Sequence, residues 1–216
     1  MSPIPRPSRE TDPDLLELLP GLLQVPGWLL PEEAALLFSL ARSAKGGRIV
    51  ELGAYQGRSA VVLAGGLRAQ GSAEREPLLV VDTFRGSPEH QPGQPFFDEA
   101  TFDRVNSRVD TFPGFQRNIA RFGLEPLVEA WQDTTLQAAQ RFRGRIALLF
   151  VDADHHYNAV RADLEAWMPF LTPEGVVVLH DVGSWEGPTR AAAELLSSGY
   201  RKVDQAGASL ALARLL

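Results

Sequence analysis

The sequence has no cysteine among its 216 residues, and this absence removes several kinds of chemistry at once. Without cysteine the chain can form no disulfide, thiolate nucleophile, iron–sulfur cluster or cysteine-based zinc site. Any metal ion must therefore be bound by oxygen or imidazole ligands. The lack of disulfides also suits a cytoplasmic protein, and we expect that localisation.

Long hydrophobic runs are also missing. The most apolar early stretch, residues 15–30, is interrupted by prolines, a glycine and polar side chains, and it falls short of the roughly 18 apolar residues that a membrane span requires. The start of the chain, MSPIPRPSRETDPD, lacks the apolar core of a signal peptide. We therefore expect no membrane partner, and we expect residues 15–30 to pack on the domain as a short helix and turn.

Positive charge is in deficit, with 21 Lys and Arg against 27 Asp and Glu and a formal net charge of −6. The electric field of such a chain does not attract nucleic acid, so we expect no nucleic-acid partner and favour a small-molecule one. The apolar N-terminal segment could in addition serve a homo-oligomer.

Short apolar runs alternate along the chain with amphipathic stretches, which predicts the α/β class. The runs IALLFV and VVVL are apolar on both faces, as in central parallel strands that are covered by helices on each side. The predicted strands are 48–52, 78–81, 127–130, 146–151 and 176–179, and the predicted helices are 31–44, 57–69, 115–122, 136–142, 157–170 and 188–197. Residues 200–204 and 208–213, joined by Gln-Ala-Gly, predict an antiparallel hairpin that finishes the sheet.

The length of the chain predicts a single domain with a short appendage. We expect residues 1–45 to form an N-terminal extension and helical cap, and residues 46–216 to form the main domain. The polar, proline-rich segment 84–114 is too long for an ordinary connection. It is predicted to be a lid or binding loop that selects the substrate.

The loop after the first strand has an unusual pattern of glycines. In open α/β sheets ligands bind at the carboxyl ends of the strands, and here the first strand continues into VELGAYQGRS, residues 50–59. Gly53 and Gly57 allow a tight turn and close backbone approach. Tyr55 and Arg58 stand where a dinucleotide-binding loop needs glycine, and no G-K-[ST] follows, so neither a pyrophosphate site nor a P-loop is predicted. A nucleoside ligand without a pyrophosphate suits the pattern better.

This segment resembles motif I of the class I S-adenosylmethionine (SAM)-dependent methyltransferases, which in outline is E/D-x-G-x-x-x-G. The resemblance implies a Rossmann-like seven-stranded sheet, mostly parallel with an antiparallel C-terminal hairpin and with helices on both faces. It also implies SAM as the cofactor, with the loop around its methionyl end and the glutamate near its ammonium group. The loop residues assigned to the cofactor in this way are Glu51, Gly53, Tyr55, Gly57 and Ser59. The alternative is a glycine turn that binds no ligand.

Two further strand ends extend the expected cofactor site. Asp82 ends the second strand where a carboxylate can accept both ribose hydroxyls, and Thr83 and Phe84 follow it. By resemblance, Gln132 and Asp133 lie beside the adenine after the third strand. The alternatives are that Asp82 is a capping residue and that Asp133 is a helix N-cap.

Acidic residues and histidines are concentrated after the fourth and fifth strands. The segments VDADHHY, residues 151–157, and LHD, residues 179–181, contain three of the four histidines. Both segments should converge over one pocket beside the first loop. Crowded carboxylates repel one another unless they share a cation or a proton, so a divalent ion such as Mg²⁺ or Mn²⁺ would fit here, and zinc would fit as well.

The stretch VDADHHYNAVRADLEAW…LTPEGVVVLHD, together with DTFRG, resembles a bacterial methyltransferase subgroup related to the macrocin- and aminocoumarin-sugar O-methyltransferases. That resemblance implies metal ligands at Asp152, His180 and Asp181 and a catalytic base at Asp154. The relatives tend to close the fifth strand with two acids, and His180 departs from this pattern. One alternative is a polar pocket in which Asp152 contacts SAM. Another is a metal-free route with His180 or His155 as general base, since imidazole can accept a hydroxyl proton near neutral pH.

Taken with these resemblances, the sequence predicts a SAM-dependent methyltransferase that acts on an oxygen of a small hydroxylated metabolite or sugar. Two alternatives remain open. One is an NAD-dependent oxidoreductase on a similar sheet, against which the loop after the first strand counts, and the other is a non-catalytic SAM-binding module. Asp163, on the helix after the fourth strand, has no predicted role and is expected to face solvent or to pair with a basic residue such as Arg161.

Overall fold

The computed structural model describes residues 12–71 and 76–215. Residues 1–11 of the predicted N-terminal extension therefore lie outside the described residues. The helices are α1 Pro13–Leu22, α2 Pro31–Ser43, α3 Arg58–Gln70, α4 Phe112–Arg121, α5 Thr135–Arg141, α6 Tyr157–Trp167 and α7 Glu186–Ser197. The strands are β1 Arg48–Leu52, β2 Leu78–Asp82, β3 Phe102–Asp103, β4 Arg108–Val109, β5 Val128–Gln132, β6 Ile146–Val151, β7 Leu171–Leu179, β8 Tyr200–Ala206 and β9 Ser209–Arg214.

Seven strands form one sheet in the order β5-β2-β1-β6-β7-β9-β8. The pairs from β5 to β7 are parallel, while β9 pairs antiparallel with both β7 and β8. The predicted α/β class, with a mostly parallel sheet and an antiparallel C-terminal hairpin, is confirmed. The chain moves outward from β1 to β5 and then returns to β6 on the other side of β1. Strand order therefore reverses between β1 and β6, which is where such sheets bind ligands.

Both faces of the sheet are covered by helices, as the two-sided apolar strands predict. Ile49 belongs to the core layer shared with α1 to α4, while the next residue, Val50, belongs to the layer shared with α5 to α7. Leu15 and Leu18 of α1 and Phe38 of α2 are buried in the first of these layers. The helical cap therefore shares the hydrophobic core of the main domain, and the short helix expected near residue 15 is present.

Some element boundaries differ from the prediction, and proline explains two of them. Helix α6 ends at Trp167, before 170, because Pro169 falls in the 3₁₀ turn Met168–Phe170. Helix α4 begins at Phe112, before 115, because Pro113 is tolerated in the first turn of a helix. Strand β7 begins at Leu171 and is longer than predicted.

The long segment 84–114 has some regular structure of its own. It contains two short 3₁₀ turns and the antiparallel pair of β3 and β4. The amide of Thr111 donates a hydrogen bond to the carbonyl oxygen of Phe84, so the two ends of the segment lie close together beside the end of β2. Among the described residues, none of the helices is long and apolar enough to cross a bilayer.

Candidate active site

Two adjoining cavities open at the carboxyl ends of the strands that flank the reversal in strand order. The first has a volume of about 190 Å³ and the second of about 250 Å³. Gly53, Ala54, Tyr55 and Asp152 line both of them, so the two spaces meet between the loop after β1 and the loop after β6. The cavities therefore lie where ligands of open α/β sheets bind.

The turn after β1 requires glycine at Gly53. Its φ is +84°, and a Cβ at this position would come within 2.2 Å of the carbonyl oxygen of Asp152. Gly57 has a φ of +92° and is the N-cap of α3. The backbone of the first loop therefore touches the backbone that follows β6, and this contact brings the two predicted motifs together.

Asp82 fixes the first loop and faces the second cavity. Its Oδ2 accepts hydrogen bonds from the backbone amides of Ala54 at 2.8 Å and Tyr55 at 3.0 Å, and its Oδ1 accepts one from Phe84 at 2.6 Å. Burial raises the pKa of Asp82, while these amides oppose the rise. Each carboxylate oxygen has two lone pairs, so one lone pair of Oδ1 remains for a ribose hydroxyl. Thr83, Asp82 and Asp133 all line the second cavity.

Four residues predicted to bind the cofactor lie away from the cavity surfaces, and Glu51 and Gly57 are two of them. Glu51 is fully buried under the loop, where Ser59 donates a hydrogen bond to Oε1, and Oε2 has no partner within residues 12–71 and 76–215. Burial raises the pKa of Glu51 well above its usual value, and Asp152 and Asp82 add to the rise. Glu51 is therefore placed to support the loop rather than to reach the cavity.

Phe84 and Gln132 are the other two. Phe84 is completely buried, with its ring centroid 4.8 Å from that of Phe112 and 5.0 Å from that of Phe115. We expected Phe84 to contact the cofactor, but its side chain lies in the hydrophobic core instead. Gln132 is exposed at the end of β5. Its neighbour Asp133 accepts a hydrogen bond from the amide of Thr134, which is itself the N-cap of α5.

His155 lies among three carboxylates that line the first cavity. Together with these carboxylates and His180 it forms what we call the floor of the cavity, namely Glu89, Asp152, His155, His180 and Asp181. Its Nδ1 is 2.8 Å from Glu89 Oε1, and its Nε2 is 3.0 Å from Asp181 Oδ2 and 3.8 Å from Asp152 Oδ1. Burial alone would lower the pKa of His155, but hydrogen bonding with these three carboxylates outweighs it and raises the pKa to about 11. In return, His155 lowers the pKa of Glu89 to about 2, although burial opposes this.

His180 has a similar environment on the other side of the same floor. Its Nδ1 is 3.1 Å from Asp152 Oδ1 and 3.3 Å from Asp181 Oδ2, and its Nε2 is 3.4 Å from Glu33 Oε2. Burial lowers the pKa of His180, and the surrounding carboxylates, Asp152 first, raise it by more. The surrounding carboxylates therefore favour the protonated form of both imidazoles, and a protonated ring cannot accept a proton. The geometry does not support the general-base roles predicted for His155 and His180.

The predicted base, Asp154, lies on the second cavity. Its Oδ1 accepts a hydrogen bond from the amide of His156 at 2.7 Å and is 2.8 Å from His156 Nδ1. It is thus directed toward its own turn rather than toward the floor around His155.

A divalent cation fits the donor atoms at the floor. Asp152, His155 and Asp181 each offer one donor atom, and these atoms lie within 4.8 Å of one another. Oxygen and imidazole donors suit Mn²⁺ and zinc, and carboxylates suit Mg²⁺. This set contains His155, whereas the prediction had His180. A bound ion would have to displace the proton of the imidazole that ligates it.

Aromatic rings form the upper wall of the first cavity. Trp28 lies 5.2 Å from Tyr55 and 5.6 Å from Phe96, Phe96 lies 6.4 Å from Trp185, and Trp185 stacks on His155 at 4.6 Å, all between ring centroids. These rings come from the helical cap, the first loop, the long segment and the loop before α7. Segment 84–114, which is predicted to be a lid or binding loop, also supplies Ser87, Glu89 and His90 to this cavity.

Four residues at this site were missed by sequence reasoning. Glu33, Glu89, Trp28 and Trp185 belong to segments far apart in the chain, and none stands in a motif. The only available signal was the length and polarity of segment 84–114, which indicated a functional loop without indicating Glu89.

The comparisons with known proteins agree with one another. A family model described as a methyltransferase domain matches residues 50–182. A relative from Streptomyces olivaceus, named 8-demethyl-8-(2,3-dimethoxy-alpha-L-rhamnosyl)-tetracenomycin-C 4'-O-methyltransferase, is 31% identical over 141 residues, which cover 62% of this chain. The chain spans 52% of the length of that relative and 13% of the length of a second one, from Sinorhizobium fredii.

Solved structures show the same fold. The O-methyltransferase NovP is 17% identical with a TM-score of 0.63, over 86% of this chain and 81% of that one. The O-methyltransferase TomG from Streptomyces achromogenes, solved in complex with SAM, is 17% identical with a TM-score of 0.60, over 94% of this chain and 89% of that one. At these identities the similarity concerns the fold alone.

Proposed function

The chain belongs to the methyltransferase domain family, and from this premise we propose that it transfers the methyl group of SAM to a hydroxyl oxygen of a small acceptor. The observation that carries the proposal is the junction of the two cavities at Gly53 and Asp152. One cavity has the carboxylates that a nucleoside needs, and the other has an acidic floor under aromatic walls. SAM carries its methyl group on a sulfonium, so that an aligned oxygen can bond to the methyl carbon as the C–S bond breaks and S-adenosylhomocysteine leaves.

The second cavity is proposed to bind the nucleoside part of SAM. Asp82 faces this space with one lone pair of Oδ1 available to a ribose hydroxyl, and Asp133 would lie on the adenine side. Gly53 and Tyr55 border both cavities, so the methionyl part would pass along the first loop toward the first cavity. Ser59, at the start of α3, lines that path. The methyl group would then be presented above Asp152.

Asp152 is proposed to take the proton of the acceptor hydroxyl. Its contacts with His155 and His180 both use Oδ1, which leaves Oδ2 for the acceptor. As the new C–O bond forms, the hydroxyl becomes acidic and its proton passes to this oxygen. The positive charge of His155, fixed between Glu89 and Asp181, stabilises the negative charge that develops on the acceptor oxygen.

Metal assistance is the alternative to the positive charge of His155, because an ion bound by this ring would replace its proton. The residues that would hold a divalent ion are Asp152, His155 and Asp181, and the ion would supply Lewis-acid activation of the acceptor oxygen.

The acceptor is proposed to be a small hydroxylated metabolite or sugar. Pockets for such ligands combine apolar, aromatic walls with a few polar groups that fix orientation, as the first cavity does with Trp28, Phe96 and Trp185 over Glu89 and Asp152. A sugar hydroxyl as the methylated group is also consistent with the name of the Streptomyces olivaceus relative.

The test is to incubate the full chain with SAM and a panel of sugars, glycosides and phenols, with and without a chelator, and to analyse the products by mass spectrometry. We expect a methylated acceptor and an equal amount of S-adenosylhomocysteine. Loss of turnover with chelator, restored by Mn²⁺ or Mg²⁺, would support metal assistance. Binding of SAM without turnover of any acceptor would favour the non-catalytic module instead.

A further inference from the structure

We infer that Glu33 of the helical cap is a positioning residue, which holds the His180 ring against the carboxylates of the cavity floor. Glu33 lies outside residues 50–182, which the family model matches, and so does the hairpin turn that it contacts. The inference rests on the proposed function insofar as it concerns turnover. It assigns to the cap and the hairpin a part in organising the floor on which the acceptor reacts.

Glu33 is fixed independently of the histidine that it faces. Its side chain is 1% exposed on the first turn of α2. Oε2 accepts a hydrogen bond from the amide of Leu30 at 2.8 Å, and Oε1 accepts one from the amide of Ala208 at 2.8 Å and lies 3.4 Å from Ser209 Oγ. The two amides come from opposite ends of the chain. Because both oxygens are held by backbone or by a short side chain, the carboxylate has little freedom to turn away.

The carboxylate is also in a charged state. Burial raises the pKa of Glu33, but His180 and the amides of Leu30 and Ala208 outweigh the burial, and the pKa is lowered. A buried charge costs free energy unless it is paired, and here four donors surround it.

Glu33 acts on the cavity only through His180. The 3.4 Å contact is to Nε2, while the opposite side of the ring presents Nδ1 to Asp152 and Asp181 at 3.1 and 3.3 Å. A carboxylate at Nε2 therefore sets the rotation of the ring and directs Nδ1–H at the two carboxylates. This in turn holds Asp152 Oδ1, which leaves Oδ2 for the acceptor. Glu33 itself is not part of the cavity lining.

A purely structural role is the competing explanation, because the same carboxylate ties α2 to the turn between β8 and β9. The two explanations differ in what a substitution changes. A structural tie affects stability, and it affects KM and kcat together through partial unfolding. A positioning role affects kcat and the environment of the His180 ring while the folded protein still binds SAM.

The test compares Glu33→Gln with Glu32→Gln, a matched change at the exposed neighbouring residue on the same turn. We expect E33Q to lower kcat by about 10- to 100-fold, as loss of a carboxylate behind a functional histidine does, with the KM for SAM little changed. E32Q should retain the wild-type kcat. In nitrogen-15 spectra of the imidazole rings, with His180 assigned from a His180→Gln variant, E33Q should shift the Nε2 signal of His180.

The spectra separate failure of this inference from failure of the proposed function. If the wild type methylates no acceptor, the proposed function fails, but the Nε2 signal still tests the contact. A wild-type kcat in folded E33Q would overturn the inference, and so would a lower kcat with an unshifted His180 signal. If E33Q does not fold, kcat and the Nε2 signal of His180 are measured in Glu33→Asp instead. This variant keeps the negative charge, but its shorter side chain moves the carboxylate away from the His180 ring.

Discussion

Asp163 provides a quantitative test of how burial affects a carboxylate in this fold. The residue is 4% exposed on α6, where the hydroxyl of Thr135 donates a hydrogen bond to it. Burial raises the pKa of Asp163 from 3.8 to about 6, the Thr135 hydrogen bond opposes the rise, and the charge of Asp154 adds to it. The perturbation is Asp163→Asn, which removes the titrating group and can still accept the hydrogen bond from Thr135.

The magnitude follows from the shift in pKa. A rise from 3.8 to about 6 corresponds to about 3 kcal/mol of folding free energy. Because the folded-state pKa of Asp163 lies above the unfolded value, its contribution is fully present below about pH 4 and is lost as the pH rises through about 6. D163N does not titrate, so its free energy of unfolding relative to the wild type should increase by most of that amount between about pH 4 and pH 8.

The assay is urea unfolding of wild type and variant at both pH values, with the linear slope checked for a two-state transition. A new buried amide donor in D163N can lower stability by the same amount at each pH. The test is therefore to compare the change in free energy of unfolding that D163N causes at about pH 4 with the change that it causes at pH 8. Glu165→Gln, at an exposed residue of the same helix, is the control and should show no such change. Equal effects of D163N at both pH values would refute the reasoning.

Three further changes test the site. Asp82→Ala should weaken SAM binding by about tenfold or more, because it removes a charged hydrogen-bonding group from the second cavity, and an unchanged Kd by calorimetry would exclude that role. Phe96→Ala should raise the KM for the acceptor, because Phe96 lines the first cavity. Phe97→Ala should not raise it, because the ring of Phe97 lies against Phe102 of β3. Equal effects on KM would contradict a role of the aromatic wall in binding the acceptor. Gly53→Ala should lower the Tm, since its Cβ would meet the carbonyl of Asp152, and a wild-type melting curve would contradict this.

The sheet and its ligand edge were predictable because local patterns carry the information. Runs such as residues 146–151 are apolar on both faces, which requires helices on both sides of the strand. Gly53 was identified from spacing alone, and its positive φ explains why glycine is needed there.

The detailed floor of the site was not predictable, because it depends on contacts between distant segments. Glu89 and His155 are 66 residues apart in the chain, and Glu33 and His180 are 147 apart. No local pattern reports such pairs, so the sequence could not show that the histidines are surrounded by carboxylates and protonated. Asp163 was expected to face solvent or to pair with a basic residue such as Arg161. It lies instead on the buried side of α6, where it faces Thr135.

The most direct test of the account is a calorimetric titration of the full chain with SAM and, separately, with NAD. If the loop after β1 binds a nucleoside and excludes a pyrophosphate, SAM should bind with one molecule per chain and NAD should give no heat of binding. Saturable binding of NAD with no binding of SAM would contradict the central claim.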